Sequence, residues 1–146
     1  MISFSLLTAS DATQIEKLYA DSFLDGWNLN MLNSAFATGR FFAVGAFKDG
    51  SLIGVVTASM GYDDADIESL FVLEKFRRQG VADGLFNAME DKLKSLGAKR
   101  LLLEVREGNI GARAFYLKKG FLDISIRKKY YGDGENAVVM EKGSLG

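Results

Sequence analysis

The tightest constraint on this chain lies in one stretch, Ile67 to Phe121, where an apolar run, a basic glycine-containing loop, an amphipathic segment and a second apolar run follow one another. Ile67 to Leu73 is apolar and β-branched enough for a strand, with Glu68 and Ser69 interrupting the run. Val81, Leu85, Met89, Leu93 and Leu96 recur at helical intervals, which predicts a helix with one buried face and Gly97 as its C-terminal cap. Lys99 to Arg106 reads as a second strand, whose Leu101-Leu102-Leu103 run implies burial on both faces, as in a parallel pair. Strand, helix and parallel strand in this order form a right-handed crossover, so the chain is expected to be α/β.

The loop Lys75 to Ala82 falls at the helix N-terminus, where the first N–H groups lack partners and the dipole adds partial positive charge. Such a place suits a phosphate, with small Gly80 and Ala82 admitting close approach and Arg77 and Arg78 adding full charges; a solvated basic turn is the alternative. Glu104 stands just after the second apolar run, near the strand's C-terminal end, where open α/β sheets place their ligands. Asn109 is suited to cap a further helix, whose Ala112, Phe115 and Tyr116 share a face before Gly120 ends it. Tyr116 is then directed to the same end of the sheet as Glu104. A pairing of Glu104 with Arg106 or Arg127, and plain packing of Tyr116 beside Phe115, stand as structural alternatives.

The rest of the chain reads as shorter elements. Ile2 to Leu7 alternates as an edge strand, and Ser10 or Asp11 with Gln14 resembles a capping box before a helix whose buried stripe is Ile15, Leu18, Tyr19 and Phe23. Met31, Leu32, Ala35 and Phe36 suggest a second helix ending at Gly39. Phe41 to Phe47 and Leu52 to Met60 form a hairpin around Lys48-Asp49-Gly50-Ser51. Gly61 to Asp66 reads as an acidic turn, either solvated or drawing in a cationic amine through Asp63, Asp64 and Asp66. Phe121 to Tyr131 and Asn136 to Lys142 form the last hairpin.

Composition removes several chemistries. The 146 residues include no Cys, His or Pro, so no disulfide, cysteine–histidine pair or acyl-cysteine intermediate is available and a zinc site is not expected. Proton transfer falls to carboxylates, tyrosines, lysines, water or the backbone. A net charge of −1 argues against a general nucleic-acid surface. No apolar run approaches membrane-spanning length and the N-terminus carries no signal-like charge, so a cytoplasmic location is expected. One domain over residues 1–142 is expected, with 143–146 as a loose tail.

Arg77-x-x-Gly80-x-Ala82 followed by Asn109-x-x-Ala112-x-x-x-Tyr116-x-x-x-Gly120-Phe121 resembles the acetyl-CoA-binding core of the Gcn5-related N-acetyltransferases. The Arg-Arg-Gln-Gly-Val-Ala form is similar to that of protein Nα-acetyltransferases. Leu103 to Arg106, Ile126 to Tyr131 and Gly134 to Met140 resemble the bacterial ribosomal-protein-alanine branch. This resemblance implies a single mixed, twisted sheet of about seven strands with about four flanking helices, its two central parallel strands splayed apart. Acetyl-CoA is implied as cosubstrate, with no metal. Its pantetheine would meet main-chain groups of Leu70, Phe71 and Val72, its pyrophosphate would meet Arg77, Arg78, Gln79, Gly80, Val81, Ala82 and Asp83, and Asn109 would lie near the thiol arm.

The resemblance assigns Glu104 as proton acceptor and Tyr116 as donor to the departing thiolate, with Glu68 as a competing base. Arg113, Lys118 and Lys119 would reach the ribose phosphate or remain a solvated face. The first two helices with Trp27, and Tyr130 with Tyr131, would wall the acceptor site. Gly26 and Asn136 depart from the branch pattern, which has proline and an acidic residue there, and Glu68 is an acidic departure from it. The implied activity is acetyl transfer to a protein N-terminal α-amine, with a small ribosomal-subunit protein as partner. A small amine as acceptor (a polyamine or free amino acid), and a non-catalytic acyl-CoA sensor, are the rivals.

Overall fold

A computed structural model describes residues 1–22 and 26–143. The elements are β1 (Ile2–Leu7), α1 (Ala12–Asp21), α2 (Leu29–Ala37), β2 (Phe41–Lys48), β3 (Ser51–Met60), β4 (Asp64–Val72), α3 (Val81–Ser95), β5 (Arg100–Arg106), α4 (Ile110–Lys118), β6 (Leu122–Arg127) and β7 (Ala137–Lys142). The seven strands form one sheet in the order β1-β2-β3-β4-β5-β7-β6. Only β4 and β5 run parallel; the other neighbours are antiparallel.

Local chemistry accounts for most boundaries. Asp49 (φ 52°) and Gly50 (φ 79°) both take the left-handed conformation, the tight two-residue turn expected between β2 and β3. Gly97 (φ 96°) ends α3 as expected. The capping box before α1 sits earlier than expected: Thr8 N–H donates to Asp11 Oδ2 at 2.8 Å, and a single 3-10 turn at Ala9–Asp11 precedes the helix. Asn28 caps α2, its Oδ1 accepting from Met31 N–H at 2.8 Å. Phe23, and residues 144–146 of the expected tail, lie outside the described residues.

The second half of the expected acidic turn is strand. β4 begins at Asp64, whose carboxylate holds Arg100 at 2.6 Å, and the Asp63 carbonyl accepts from Lys99 N–H at 2.7 Å. Both residues therefore help to start the parallel pair, and the Asp64 carboxylate is already engaged by a cation. Asp64 and Arg100 face each other in the register.

Alternating side chains divide the core between the two faces of the sheet. On one face Val44, Val56, Ile67, Leu101, Leu103 and Met140 pack against Leu85, Phe86, Met89 and Leu93 of α3. On the other, Phe41, Ala43 and Val55 pack against Ile15, Leu18 and Tyr19 of α1 and Leu32 of α2. This second layer reaches only β1 to β4, so β5 is covered on one face alone. Leu102 is half-buried and Glu104 exposed, which corrects the expectation of burial on both faces.

The feature that positions the site is a short ladder. β4 and β5 pair only from Asp64↔Arg100 to Ile67↔Leu103. Beyond that, β4 stays with β3 as far as Gly54↔Val72, and β5 stays with β7 as far as Arg106↔Ala137. The two central strands therefore part and leave a wedge between them.

Gly54 on β3 lets Leu85 of α3 and the Phe71 main chain approach closely. A Cβ there would lie 2.9 Å from the Phe71 carbonyl oxygen and 3.2 Å from Leu85 Cδ1. Gly54→Ala is expected to cost about 1–3 kcal/mol, read as a lower urea midpoint with an unchanged m-value.

Candidate active site

The loop between β4 and α3 has the backbone of an anion site. After one 3-10 turn (Glu74–Phe76), Arg77 is extended (φ −68°, ψ 156°), and Arg78 (φ 63°) and Gly80 (φ 77°) are left-handed before the helix begins. Left-handed residues alternating with ordinary ones turn successive N–H groups toward a common concavity, and the α3 dipole adds to it. Arg78, a non-glycine residue held at positive φ, marks strain stored at this loop. In front lies a cavity of about 220 Å³, lined by Val72, Phe76, Arg78, Gly80, Ala82 and Phe115 among others.

Individual side chains here have distinct duties. Arg77 is exposed and lines the same cavity, while its Nε donates to the Val72 carbonyl at 3.0 Å and its guanidinium lies 5.8 Å from the Phe71 ring centroid. It props the free end of β4. Gln79 Nε2 donates to the Lys75 carbonyl at 3.2 Å. Asp83 pairs with Lys119 at 2.7 Å, and Arg113 pairs with Asp123 at 3.1 Å while donating to the Glu107 carbonyl. Lys119 and Arg113 are thus already engaged by carboxylates. Asn109 caps α4 as expected, Oδ1 accepting from Ala112 N–H at 3.2 Å.

Two glutamates meet where the strands divide. Glu68 directly follows Ile67 and Glu104 directly follows Leu103, the last paired couple. Glu68 is also the extra residue of a β-bulge, since Thr57↔Ser69 and Ala58↔Ile67 leave it without a partner on β3. Glu68 is exposed as a residue, but partial desolvation of its carboxyl beside the sheet pushes that group above the ordinary range; a hydrogen bond with Ser59 opposes this and the nearby Asp66 adds to it. Glu104 Oε2 lies 3.3 Å from Arg127 Nε, the pairing anticipated as a structural alternative.

Tyr116 is buried, with ring centroids of Phe115 and Phe121 at 5.3 and 5.5 Å. Burial pushes its phenol up to about 12. It therefore keeps its proton at neutral pH.

Beside Glu68 runs a groove of about 500 Å³, lined by Tyr19, Gly26, Trp27, Met31, Glu68, Ser69, Leu70 and Phe71. Leu70 and Phe71, expected to meet pantetheine, thus lie on the splayed part of β4 beside it. Tyr130 and Tyr131 stack edge to face at 5.1 Å on the β6–β7 connection. That connection is braced to β5: Arg106 binds Asp133 at 2.8 Å and Glu135 at 2.9 Å, and its guanidinium lies 4.1 Å from the Tyr131 ring centroid. Asn136 completes the brace, Oδ1 accepting from Lys129 N–H at 2.9 Å and Nδ2 donating to Glu107 at 3.2 Å. The departure from an acidic residue there has a structural use.

Residue-by-residue reading missed the hydroxyl network around Ser69 and the anchoring by Asp133 and Glu135. A tyrosine in an otherwise apolar helical stripe was the available signal, because a buried phenol needs a polar partner.

A sheet whose central parallel strands part above an anion-binding loop defines the class. Residues 12–121 match the Acetyltransferase (GNAT) family, and the chain belongs to that family of acetyl-CoA-dependent N-acetyltransferases. It is 31% identical over 143 residues to the ribosomal protein bS18-alanine N-acetyltransferase of Haemophilus influenzae, covering 93% of this chain and 97% of that protein. A shorter match, 35% over 95 residues, is to an uncharacterized N-acetyltransferase of Methanocaldococcus jannaschii; it covers 64% of this chain and 61% of that protein. The crystal structure of the ribosomal-protein-S18-alanine N-acetyltransferase from Escherichia coli superposes with a TM-score of 0.84 at 26% identity, covering 99% of this chain and 94% of that one. No helix among the described residues is long and apolar enough to cross a membrane.

The raised Glu68 carboxyl makes a stability prediction with a definite sign. The folded protein holds that proton more tightly than the unfolded chain, so the ionised form destabilises the fold above the carboxylate range and stability returns as pH falls into it. Glu68→Gln is expected to unfold at a higher temperature than wild type at pH 7, and the difference should shrink as pH approaches about 4.

Proposed function

We propose that the protein transfers acetyl from acetyl-CoA to the N-terminal α-amine of a protein, by direct amine attack and without an acyl-enzyme intermediate. The observation that carries this reading is the site's two-walled approach. Glu68 and Glu104 stand where β4 and β5 part. A groove with Tyr19 and Trp27 leads to Glu68 on one side, and the braced Tyr130-Tyr131 arm rises on the other. An extended peptide uses both walls, whereas a small amine needs neither. The name of the 31%-identical relative supports a ribosomal protein of the small subunit as the acceptor.

The residues present fit the cosubstrate. Beyond Ile67 the Leu70 to Val72 segment of β4 has no ladder partner on β5, and those of its main-chain groups that alternate toward the wedge suit the amides of pantetheine, the Val72 carbonyl being already held by Arg77. The N–H groups from Arg78 to Asp83 suit the pyrophosphate, with Arg78 supplying charge, and Asn109 stands at the start of α4 beside the thiol arm. Arg77 contributes by fixing the Val72 end of β4.

A free α-amine has a pKa of about 8, so roughly a tenth is neutral at pH 7, against well under one part in a thousand for a lysine side chain at about 10.4. The neutral nitrogen attacks the thioester carbon; the C–N bond forms as the C–S bond breaks, and Glu104 takes the proton the nitrogen sheds. The sulfur leaves as a thiolate, and an alkyl thiol is more acidic than a phenol held at about 12. Full proton transfer from Tyr116 is therefore uphill, and its role is to hydrogen-bond the developing thiolate.

The test is an acceptor panel read by mass spectrometry alongside CoA release. Peptides with a free N-terminal alanine are expected to gain one acetyl group at the α-amine. Efficient turnover of polyamines or free amino acids with no peptide modified would overturn the proposal, as would tight acetyl-CoA binding without turnover of any amine. Glu104→Gln is expected to lower kcat by about 10²–10³ and Tyr116→Phe by about 10–10², with acetyl-CoA binding retained. If Glu68→Gln alone suppresses the rate–pH profile, Glu68 is the base.

A further inference from the structure

Ser69 joins four parts of the acceptor side through one hydroxyl. Its Oγ lies 2.8 Å from Tyr19 Oη on α1, 3.3 Å from Trp27 Nε1 on the α1–α2 connection and 2.7 Å from Thr57 Oγ1 on β3. Thr57 is fully buried and is the register partner of Ser69, immediately beside the bulge that carries Glu68. Trp27 packs its ring edge-on against Phe41 at 5.1 Å, and Phe36 packs against the same ring at 4.9 Å. Tyr19, Trp27, Ser69 and Glu68 all line the groove of about 500 Å³.

The hydrogen count assigns the role. A serine hydroxyl has one proton to donate and two lone pairs. Indole N–H only donates, so it takes one lone pair; the Tyr19 and Thr57 hydroxyls take the other and the proton. Ser69 therefore has no capacity left for a ligand and acts through the rings it holds. The inner end of this network is a buried strand pair, so both aromatic walls are referenced to β4, the strand that also carries Glu68 and the splayed Leu70 to Val72 segment.

We propose that Ser69 is the positioning residue of the acceptor pocket: its hydroxyl locks Trp27 and Tyr19 as the walls against which the acceptor's first side chain rests, and so sets which N-terminal residues are taken. This rests on the N-terminal acetyltransferase reading above. Removing the hydroxyl frees the indole N–H and the Tyr19 phenol, and the walls lose their fixed spacing while the thioester side is untouched.

Trp27 is the single tryptophan of the chain, so fluorescence excited selectively at tryptophan, beyond the tyrosine absorption band, reports this pocket alone. Wild-type emission is expected to shift when a peptide with N-terminal alanine is added. In Ser69→Ala, the KM for that peptide should rise about tenfold, as for loss of a part-buried hydrogen bond, while the KM for acetyl-CoA stays within about twofold. The preference for alanine over leucine as first residue should narrow by roughly fivefold. Tyr19→Phe, which keeps the ring and loses one bond, should move the same quantities in the same direction by less. An unchanged peptide KM and residue preference in both variants overturns the proposal, as does an equal rise in both KM values, which marks general loosening. A wild-type enzyme that modifies only small amines overturns the functional reading itself, and is distinguished by failing before any variant is made.

Discussion

The parallel pairing of β4 and β5 stops after Ile67↔Leu103, and the rest of the site follows from that stop. Each strand is retained by its outer neighbour, β4 by β3 and β5 by β7, so neither is free to close the gap. The bulge at Glu68 sits at the parting point, where an extra residue bends a strand and increases its twist. Unpaired main-chain groups in a partly dry wedge are costly unless something meets them. Such groups suit an amide-bearing ligand, which offers the donors and acceptors that a second strand would have offered.

The same parting sorts the chemistry in space. One face of the sheet is sealed by α3 and by the Phe86, Phe115, Tyr116 and Phe121 rings, and there burial raises a phenol to about 12 and keeps it protonated. The other face is covered by α1 and α2 only as far as β4, leaving Glu104 exposed on β5 and Glu68 at the edge of the groove. A buried phenol and ionisable carboxylates need opposite surroundings. An unevenly covered sheet provides both, the phenol on its sealed face and the carboxylates where the cover stops.

Charges that look available in the sequence are mostly engaged in bracing. Arg77 holds the end of β4, Arg100 starts the parallel ladder with Asp64, and Arg106 fastens the Tyr130-Tyr131 arm through Asp133 and Glu135. Exposed ion pairs of this kind add little stability individually. Their value here is geometric, because each one fixes a segment that borders the cleft.

What the sequence alone determined was local: the helical spacing from Val81 to Leu93, glycine at the α3 stop, the Asp49-Gly50 turn, Asn109 as a cap, and the loop-plus-helix signature of an anion site. These rest on backbone conformations and side-chain periods that act within a few residues, so the order of residues suffices to specify them. The resemblance of two spaced motifs supplied the splayed sheet. Only the tertiary structure decided that Glu68 and Glu104, far apart in the chain, flank one parting point, that Arg77 bonds back to the end of β4, and that Ser69 ties Tyr19, Trp27 and Thr57 together. Those outcomes depend on strand register, on a bulge and on which face a helix covers, and none of these is a property of any short stretch of chain.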